Sequence, residues 1–328
     1  MNIGYYKPSG KVSPLFFLLF LLIIAIALPI LSVVYSHLIY YIPFIYLNLL
    51  VTIGAGAVIG ATMLWARKAG KARNRGVVAI FTLLAAIAFE YLQWCAYIPI
   101  VIAEALEEGF DIVTRLWDTL DLLVTPSAVY EWAVLINENG IWGLSKGTAV
   151  TGALLLGVWI AEFLIITVAA IIVGQIGAGD PFSEAGGKWY KQSKDTAQAC
   201  LPADFDAMKA RLEAGDISEL YHLVRTGIVD SSSFLKIEFY EPPASVQSAP
   251  YYLSVNHVTV TIKQGKENEN SNTIVGHLGV DRTTVEALRA PQPLQQAPGE
   301  PSGWGAPPPV QAPPLPPPGW GAPPPMNG

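Results

Sequence analysis

Long apolar runs separated by short polar segments dominate the first half of this chain. Each run reaches the roughly 20 residues that a helix needs to cross a hydrocarbon core of about 30 Å. The runs cover residues 15–34, 43–65, 77–103 and 148–176. This pattern predicts an all-α four-helix transmembrane bundle over residues 15–176. The composition agrees, because 52% of the 328 residues are hydrophobic and only 14% are charged, as is typical of membrane proteins.

The distribution of Lys and Arg between the apolar runs predicts the orientation. Segment 67–75 carries five cations, whereas segment 104–147 carries two cations beside eight acids. Because cytoplasmic loops are enriched in Lys and Arg, we expect the N-terminal segment 1–14, the 67–75 loop and the C terminus in the cytoplasm, and the acidic 104–147 loop outside. The expected location is the plasma membrane, which in a bacterium is the inner membrane, and the expected surroundings of the helices are the lipid bilayer.

The acidic loop has a helical pattern of its own. Apolar residues recur at helical spacing between Val113 and Leu123, and Thr125-Pro126 is typical of an N-cap followed by proline at the first helical position. We therefore expect two short helices on the outer membrane face. They either cover the bundle or form a lid that binds a partner or gates a ligand.

Beyond residue 177 the composition changes to that of a small cytoplasmic α+β domain, which we place at 177–290. The expected helices are 204–214 and 217–225, and the expected strands are 234–240, 251–263 and 273–280. The polar stretch 264–272 predicts a long hairpin connection. Thr283 and Glu286 predict a capping box for a closing helix that reaches about Arg289.

Residues 291–328 form a segment rich in Pro, Gly, Ala and Gln, in which GWGAPPP occurs twice. Such a segment buries too little apolar surface to fold, so we expect a disordered tail with polyproline II character. A protein partner with an aromatic groove would contact the Trp and three Pro of each copy. These residues are Trp304, Pro307, Pro308, Pro309, Trp320, Pro323, Pro324 and Pro325. The alternative is an inert extension.

Two carboxylic acids interrupt apolar runs at nearly the same expected depth, about 20 Å from the cytoplasmic end of each run. They are Glu90 and Glu162. A carboxyl group at mid-membrane is costly, so both should face the bundle interior and share a proton if they meet. Asn48 and Gln93 are the expected polar neighbours, with His37 nearer the outer surface. The pair either specifies helix packing or moves protons or cations.

Gly56 and Gly60 form one GxxxG pair in the second apolar run. Small residues at this spacing let a neighbouring helix approach closely. We expect that neighbour within the same chain, and a homo-oligomer seam is the alternative.

The sequence contains no motif that indicates an enzyme, a metal site or a nucleic-acid-binding surface. The chain contains no GxSxG, HExxH, phosphate loop or GxGxxG, and no basic surface interleaved with aromatic residues. Residues 181–189 resemble a zinc knuckle, but Ser183 and Gly186 stand at the thiolate positions, so we expect an amphipathic linker without zinc. His257 and His277 could approach across the hairpin but lack a third ligand. We expect no metal and no cofactor.

These features favour a membrane-anchored scaffold or adaptor that recruits protein partners through its cytoplasmic domain and tail. The alternative is a small transporter or channel component that uses Glu90 and Glu162. A membrane enzyme acting on lipid is a third, weaker hypothesis.

Overall fold

The computed structural model describes residues 4–42, 44–105, 112–140, 143–144, 148–226, 230, 232–246, 248–263 and 266–290. Long helices fill the first half of the chain. A four-stranded sheet with helices packed on it fills the second half.

In the part of the chain that the structure describes, four helices are long and apolar enough to cross a membrane. The first is nearly continuous and comprises α1 (Pro14–Leu22), a π-helical turn (Ile23–Ala27) and α2 (Leu28–Tyr41). The next two are α3 (Ile45–Ala69) and α4 (Arg75–Ala105).

The first helix runs to Tyr41, so the prediction that it ends near residue 34 was wrong. No helix-breaking residue follows Val34 until proline at position 43. Proline disfavours helical backbone in the residue before it, and Ile42 is indeed extended, with φ −93° and ψ 109°. The residues between the first two apolar runs, 35–42, are therefore almost entirely helical.

The acidic loop contains two helices, as predicted: α5 (Ile112–Val124) and α6 (Pro126–Asn139). They are bent by 110° relative to each other, which is the geometry of a broken or re-entrant segment. A short hairpin follows, with β1 (Gly143–Leu144) paired to β2 (Thr148–Ala149). The fourth long helix is α7 (Gly152–Gly174). It therefore begins later than residue 148, which was the predicted start.

The second half forms a sheet-containing region. A small hairpin, β3 (Phe182–Ser183) and β4 (Lys188–Trp189), precedes the main sheet. The main sheet has the order β5-β6-β7-β8 with antiparallel neighbours. The strands of this sheet and the helices between and after them are, in chain order, β5 (Lys191–Ala199), α8 (Phe205–Glu213), α9 (Ser218–Thr226), β6 (Ser233–Glu241), β7 (Tyr251–Lys263), β8 (Lys266–Val280) and α10 (Arg282–Arg289).

Three local predictions in this region were wrong. Strand β5 was not predicted, and β8 begins at Lys266, so most of the expected 264–272 connection is strand. The N-cap of α10 is Asp281, whose carboxylate accepts the backbone N–H of Thr284 at 2.7 Å. The expected capping box therefore does not form, and Glu286 pairs with Arg282 at 2.6 Å instead.

The N-terminal segment is joined to the C-terminal sheet. Tyr5 forms a bridge with Leu278 of β8, next to a 3.0 Å hydrogen bond from the Gly279 N–H to the Gly4 carbonyl. The Tyr5 hydroxyl also donates to Glu213 at 2.7 Å. The first described residues thus extend the sheet beyond β8.

Candidate functional site

Glu90 has hydrogen-bond donors on its own helix. The Nε2 of Gln93 and the indole N–H of Trp94 both donate to its Oε1, at 3.2 and 3.0 Å. These donors follow Glu90 by three and four residues, the spacing that places side chains on one face of a helix. Helix α4 thus supplies both the carboxyl group and two of its donors.

Glu162 lies on α7 and interacts electrostatically with Glu90. Tyr35 of α2 lies within electrostatic range of both carboxyl groups, and Tyr97 of α4 lies within that range of Glu162. Trp94 packs edge-to-face on Trp159 of α7, with ring centroids 4.7 Å apart. The structure therefore brings the two glutamates into one aromatic-lined cluster between three helices.

Asn48 of α3 is at the edge of this cluster. Its backbone carbonyl accepts the Thr52 hydroxyl at 2.9 Å, and that hydroxyl lies 3.3 Å from the hydroxyl of Tyr35. The buried Oδ1 of Asn48 has no hydrogen-bond partner among the described residues. Asn48 is therefore linked through Thr52 to Tyr35.

The sequence indicated His37 as a residue near the outer surface, but it did not indicate the aromatic residues of the cluster. The Nδ1 of His37 lies 2.8 Å from the Val33 carbonyl of its own helix, and its ring packs on Tyr41. Sequence reasoning missed Tyr35 and Trp94. The spacing of Trp94 from Glu90 was a usable signal, whereas the contribution of Tyr35 depends on packing between distant helices.

Gly56 and Gly60 lie where α3 contacts α7. A Cβ atom at Gly56 would be 2.5 Å from the Ile166 carbonyl oxygen, and one at Gly60 would be 2.5 Å from that of Ala170. Glycine is thus the residue that allows this backbone approach. The described contact is within one chain.

A second polar site joins the helix ends to the sheet. Arg67, near the end of α3, is 1% exposed and donates from its two terminal nitrogens to the carbonyls of Ile176 and Gly177, at 2.6 and 2.8 Å. Its guanidinium also lies 5.7 Å from the ring centroid of Trp189. Arg67 therefore satisfies carbonyl groups at the C-terminal end of α7, which lack partners within the helix.

The β3–β4 hairpin packs on the same site, where an amphipathic linker had been expected. Ser183 Oγ accepts the backbone N–H of Gly186 at 3.0 Å, which closes the turn. The Trp189 indole donates to the Lys68 carbonyl at 2.9 Å. Arg73 lies over the Phe182 ring at 4.3 Å and pairs with Glu184 at 3.1 Å.

His277 of β8 lies in this junction with a positive φ of 53°. Burial lowers the pKa of its imidazole, the nearby Asp180 carboxylate acts in the opposite direction, and Arg75 adds to the lowering. Its Nε2 is buried without a hydrogen-bond partner in the described part of the chain. Its ring packs edge-on against Tyr240, with centroids 4.6 Å apart.

The two strand histidines do not come together. His257 pairs with Asn272 across the β7–β8 ladder and lies 2.9 Å from the hydroxyl of Ser233, whereas His277 contacts Tyr240. Within the described ranges, no three His, Cys, Asp or Glu side chains come close enough to hold a metal ion.

The tail residues that we expect to contact a partner, including Trp304 and Trp320, lie outside the described residues. No family model, no curated protein and no solved structure matches this chain. The function must therefore be inferred from the chain's own residues.

Proposed function

We propose that this protein is a multi-pass plasma-membrane adaptor, which recruits protein partners on the cytoplasmic side through its C-terminal domain and Pro-rich tail. The single observation that carries the proposal is the extensive attachment of the sheet-containing region to the ends of the long helices. Such an attachment fixes the orientation of a recruiting domain relative to the bilayer.

The attachment has three independent parts. The N-terminal segment extends the sheet at β8. Arg67 binds the carbonyls that follow α7. The Trp189 indole binds the end of α3. With the four long helices as the only spans, the N-terminal segment and the sheet would lie on one side, in agreement with their hydrogen bonds. The five cations of segment 67–75 support the cytoplasm as that side.

The tail supplies the recruiting chemistry in this proposal. Polyproline II segments lose little entropy on docking into aromatic grooves. Trp304 and Trp320 lie 16 residues apart in the two copies of the repeat, so a multivalent partner would gain avidity.

The test is an affinity purification from gently solubilised membranes. The full chain is compared with a chain that ends at Ala290, with a Trp304→Ala/Trp320→Ala variant and with a Gln295→Ala/Gln296→Ala control. We expect partners that bind to the full chain and to the Gln control, but not to the truncated chain or to the Trp variant. Identical partner sets for all four proteins would contradict recruitment by the tail. A reporter fused after Gly328 tests the side of the membrane separately.

A second candidate function, proton or cation movement, is favoured by the interaction between Glu90 and Glu162 on different helices. Glu90→Gln/Glu162→Gln keeps the hydrogen-bonding capacity but removes the ionisable groups. Transport predicts the loss of a pH-dependent flux in proteoliposomes, with Glu286→Gln at an exposed position of helix α10 as the control. A flux that is unchanged in the double variant would exclude this function.

A further inference from the structure

The turn between α3 and α4 holds a lysine where glycine usually stands. Lys71 has a φ of 50°, and the Ala72 N–H donates to the Arg67 carbonyl at 2.9 Å, which closes a Schellman-type helix end. The left-handed residue of this motif is usually glycine, because a side chain makes that conformation unfavourable. The lysine at this position therefore has a local conformational cost.

The neighbouring glycine is needed elsewhere. A Cβ atom at Gly70 would lie 2.5 Å from the Cα of Phe16 in α1. Close packing of α3 on α1 therefore requires glycine at position 70, but it does not require lysine at position 71. A residue that keeps an unfavourable backbone conformation at a surface turn is a candidate for a functional role.

The Lys71 side chain is directed towards the tip of the β3–β4 hairpin. Its Nζ lies 3.7 Å from the position that a Cβ would take on Gly187, and Lys188 is the next residue. Both lysines are exposed, and neither has a carboxylate within 4.0 Å among the residues that the structure describes.

The surrounding surface is also cationic. Lys11 and Lys68 have side chains that are 70% and 52% exposed, and they reach Glu184 and Asp180 only at 4.0 and 3.9 Å. Exposed ion pairs at such distances contribute little. Arg75 adds a further exposed cation at the start of α4. The positive charge of this surface therefore exceeds that of its two acids.

We propose that Lys71 and Lys188, with Lys11, Lys68 and Arg75 around them, bind the phosphate of an anionic phospholipid headgroup. The turn lies between the ends of two candidate membrane spans, where a bilayer crossed by both helices would have its headgroups. Cations next to an anionic membrane surface are attracted to it. This inference shares the membrane assignment of the proposed function but does not depend on adaptor activity.

The test is native mass spectrometry of the full chain released from detergent with phosphatidylglycerol or phosphatidylcholine. Lys71→Asn keeps a residue that tolerates the left-handed conformation, and Lys188→Gln removes the second cation. Each should lower the preference for phosphatidylglycerol about fivefold, the factor expected for one cation near an anionic surface. Lys71→Arg should retain it, and Lys266→Gln at the far end of β8 is the matched control.

Three results would overturn the inference. They are an equal preference in wild type for the two lipids, an unchanged preference in Lys71→Asn/Lys188→Gln, and displacement of phosphatidylglycerol by inorganic phosphate at matched ionic strength. The last result would assign the site to a free anion. Flotation of each variant with liposomes separates these outcomes from a failure of the membrane assignment, because a chain that does not insert would not float.

Discussion

The backbone N–H of Tyr6 donates to the carbonyl of His277 at 2.9 Å. This bond joins the segment before the first long helix to the last strand of the sheet, across most of the described sequence. The Tyr6 ring also packs edge-to-face on Tyr252, with centroids 5.5 Å apart. The sheet is thus held by residues that precede the helices as well as by those that follow them.

Replacing Tyr6 with Pro tests this link, because proline has no N–H to donate. We expect faster hydrogen exchange in β8 around residues 275–279 and a loss of about 1 kcal/mol in the free energy of unfolding. Tyr6→Phe keeps the N–H and the ring and is the matched control. Equal exchange in both variants would show that the strand pairing contributes nothing to holding the sheet.

Gly56→Ala and Gly60→Ala should weaken the contact between α3 and α7. Each new Cβ would meet a carbonyl oxygen at 2.5 Å, and such overpacking typically costs about 1–3 kcal/mol. Thermal unfolding in detergent measures the effect. Gly54→Ala is the control, because a Cβ there has no heavy atom within 4 Å among the described residues; it should stabilise the helix by up to about 1 kcal/mol.

The oligomer alternative makes a different prediction for the same face. If a second copy packed on the glycines, a cysteine placed at Ala57 would cross-link two chains. Stability losses at Gly56 and Gly60 without such a cross-link would favour packing within one chain.

The sequence predicted the long helices well because their apolar runs are longer than any soluble element requires. It also predicted β7 at its exact limits, Tyr251–Lys263, where apolar and polar residues alternate. In the helices and in the first half of β7, burial in an apolar environment leaves a strong pattern in the residue types.

The elements that were missed lack such a pattern. Strand β5 buries only Ala199 fully and pairs with β6 on one side, so its residues are largely polar. The first part of β8 forms a two-stranded arm with β7, in which Glu267 faces Ile262 and both are exposed. Backbone pairing rather than burial determines these strands, and backbone pairing is not encoded in hydrophobic periodicity.

The candidate sites were predictable to different degrees. Glu90 and Glu162 were conspicuous because charged residues are rare within apolar runs. The role of Arg67 was hidden, since sequence assigned it to a cationic loop, whereas the structure buries it against the carbonyls of Ile176 and Gly177. Contacts between residues more than 100 positions apart depend on the completed fold.

Arg67→Met should destabilise the junction more than any other single charge removal there. It keeps the apolar contact but removes both guanidinium hydrogen bonds, so the Ile176 carbonyl loses its Arg67 donor while the Gly177 carbonyl keeps the Asp180 N–H at 3.0 Å. Hydrogen bonds from a charged group typically contribute about 1.5–3 kcal/mol each. Thermal unfolding in detergent and protease cleavage between α7 and β3 measure the effect.

Arg225→Met is the matched control for this substitution. Arg225 is exposed and lies 6.0 Å from the ring centroid of Tyr221, so its loss should change stability by no more than about 0.5 kcal/mol. Equal effects of the two substitutions would contradict the role of Arg67 as a buried donor.

His277 should make the stability of the junction depend on pH. Burial lowers its pKa below the ordinary value of 6.5, Arg75 acts in the same direction, and Asp180 opposes both. As the pH falls through about 6.5, the unfolded chain therefore takes up the proton before the folded chain does. The stabilisation is complete above that value and declines below it.

A series of thermal unfolding experiments from pH 7.5 to pH 5 tests this sign. His277→Asn removes the titrating group and keeps a residue that tolerates the positive φ of this position. We expect the wild-type unfolding temperature to fall more steeply than that of the variant over this range, with little difference in slope above pH 7. Parallel curves would show that protonation of His277 is not linked to folding, and a steeper fall in the variant would reverse the assigned direction of the pKa shift.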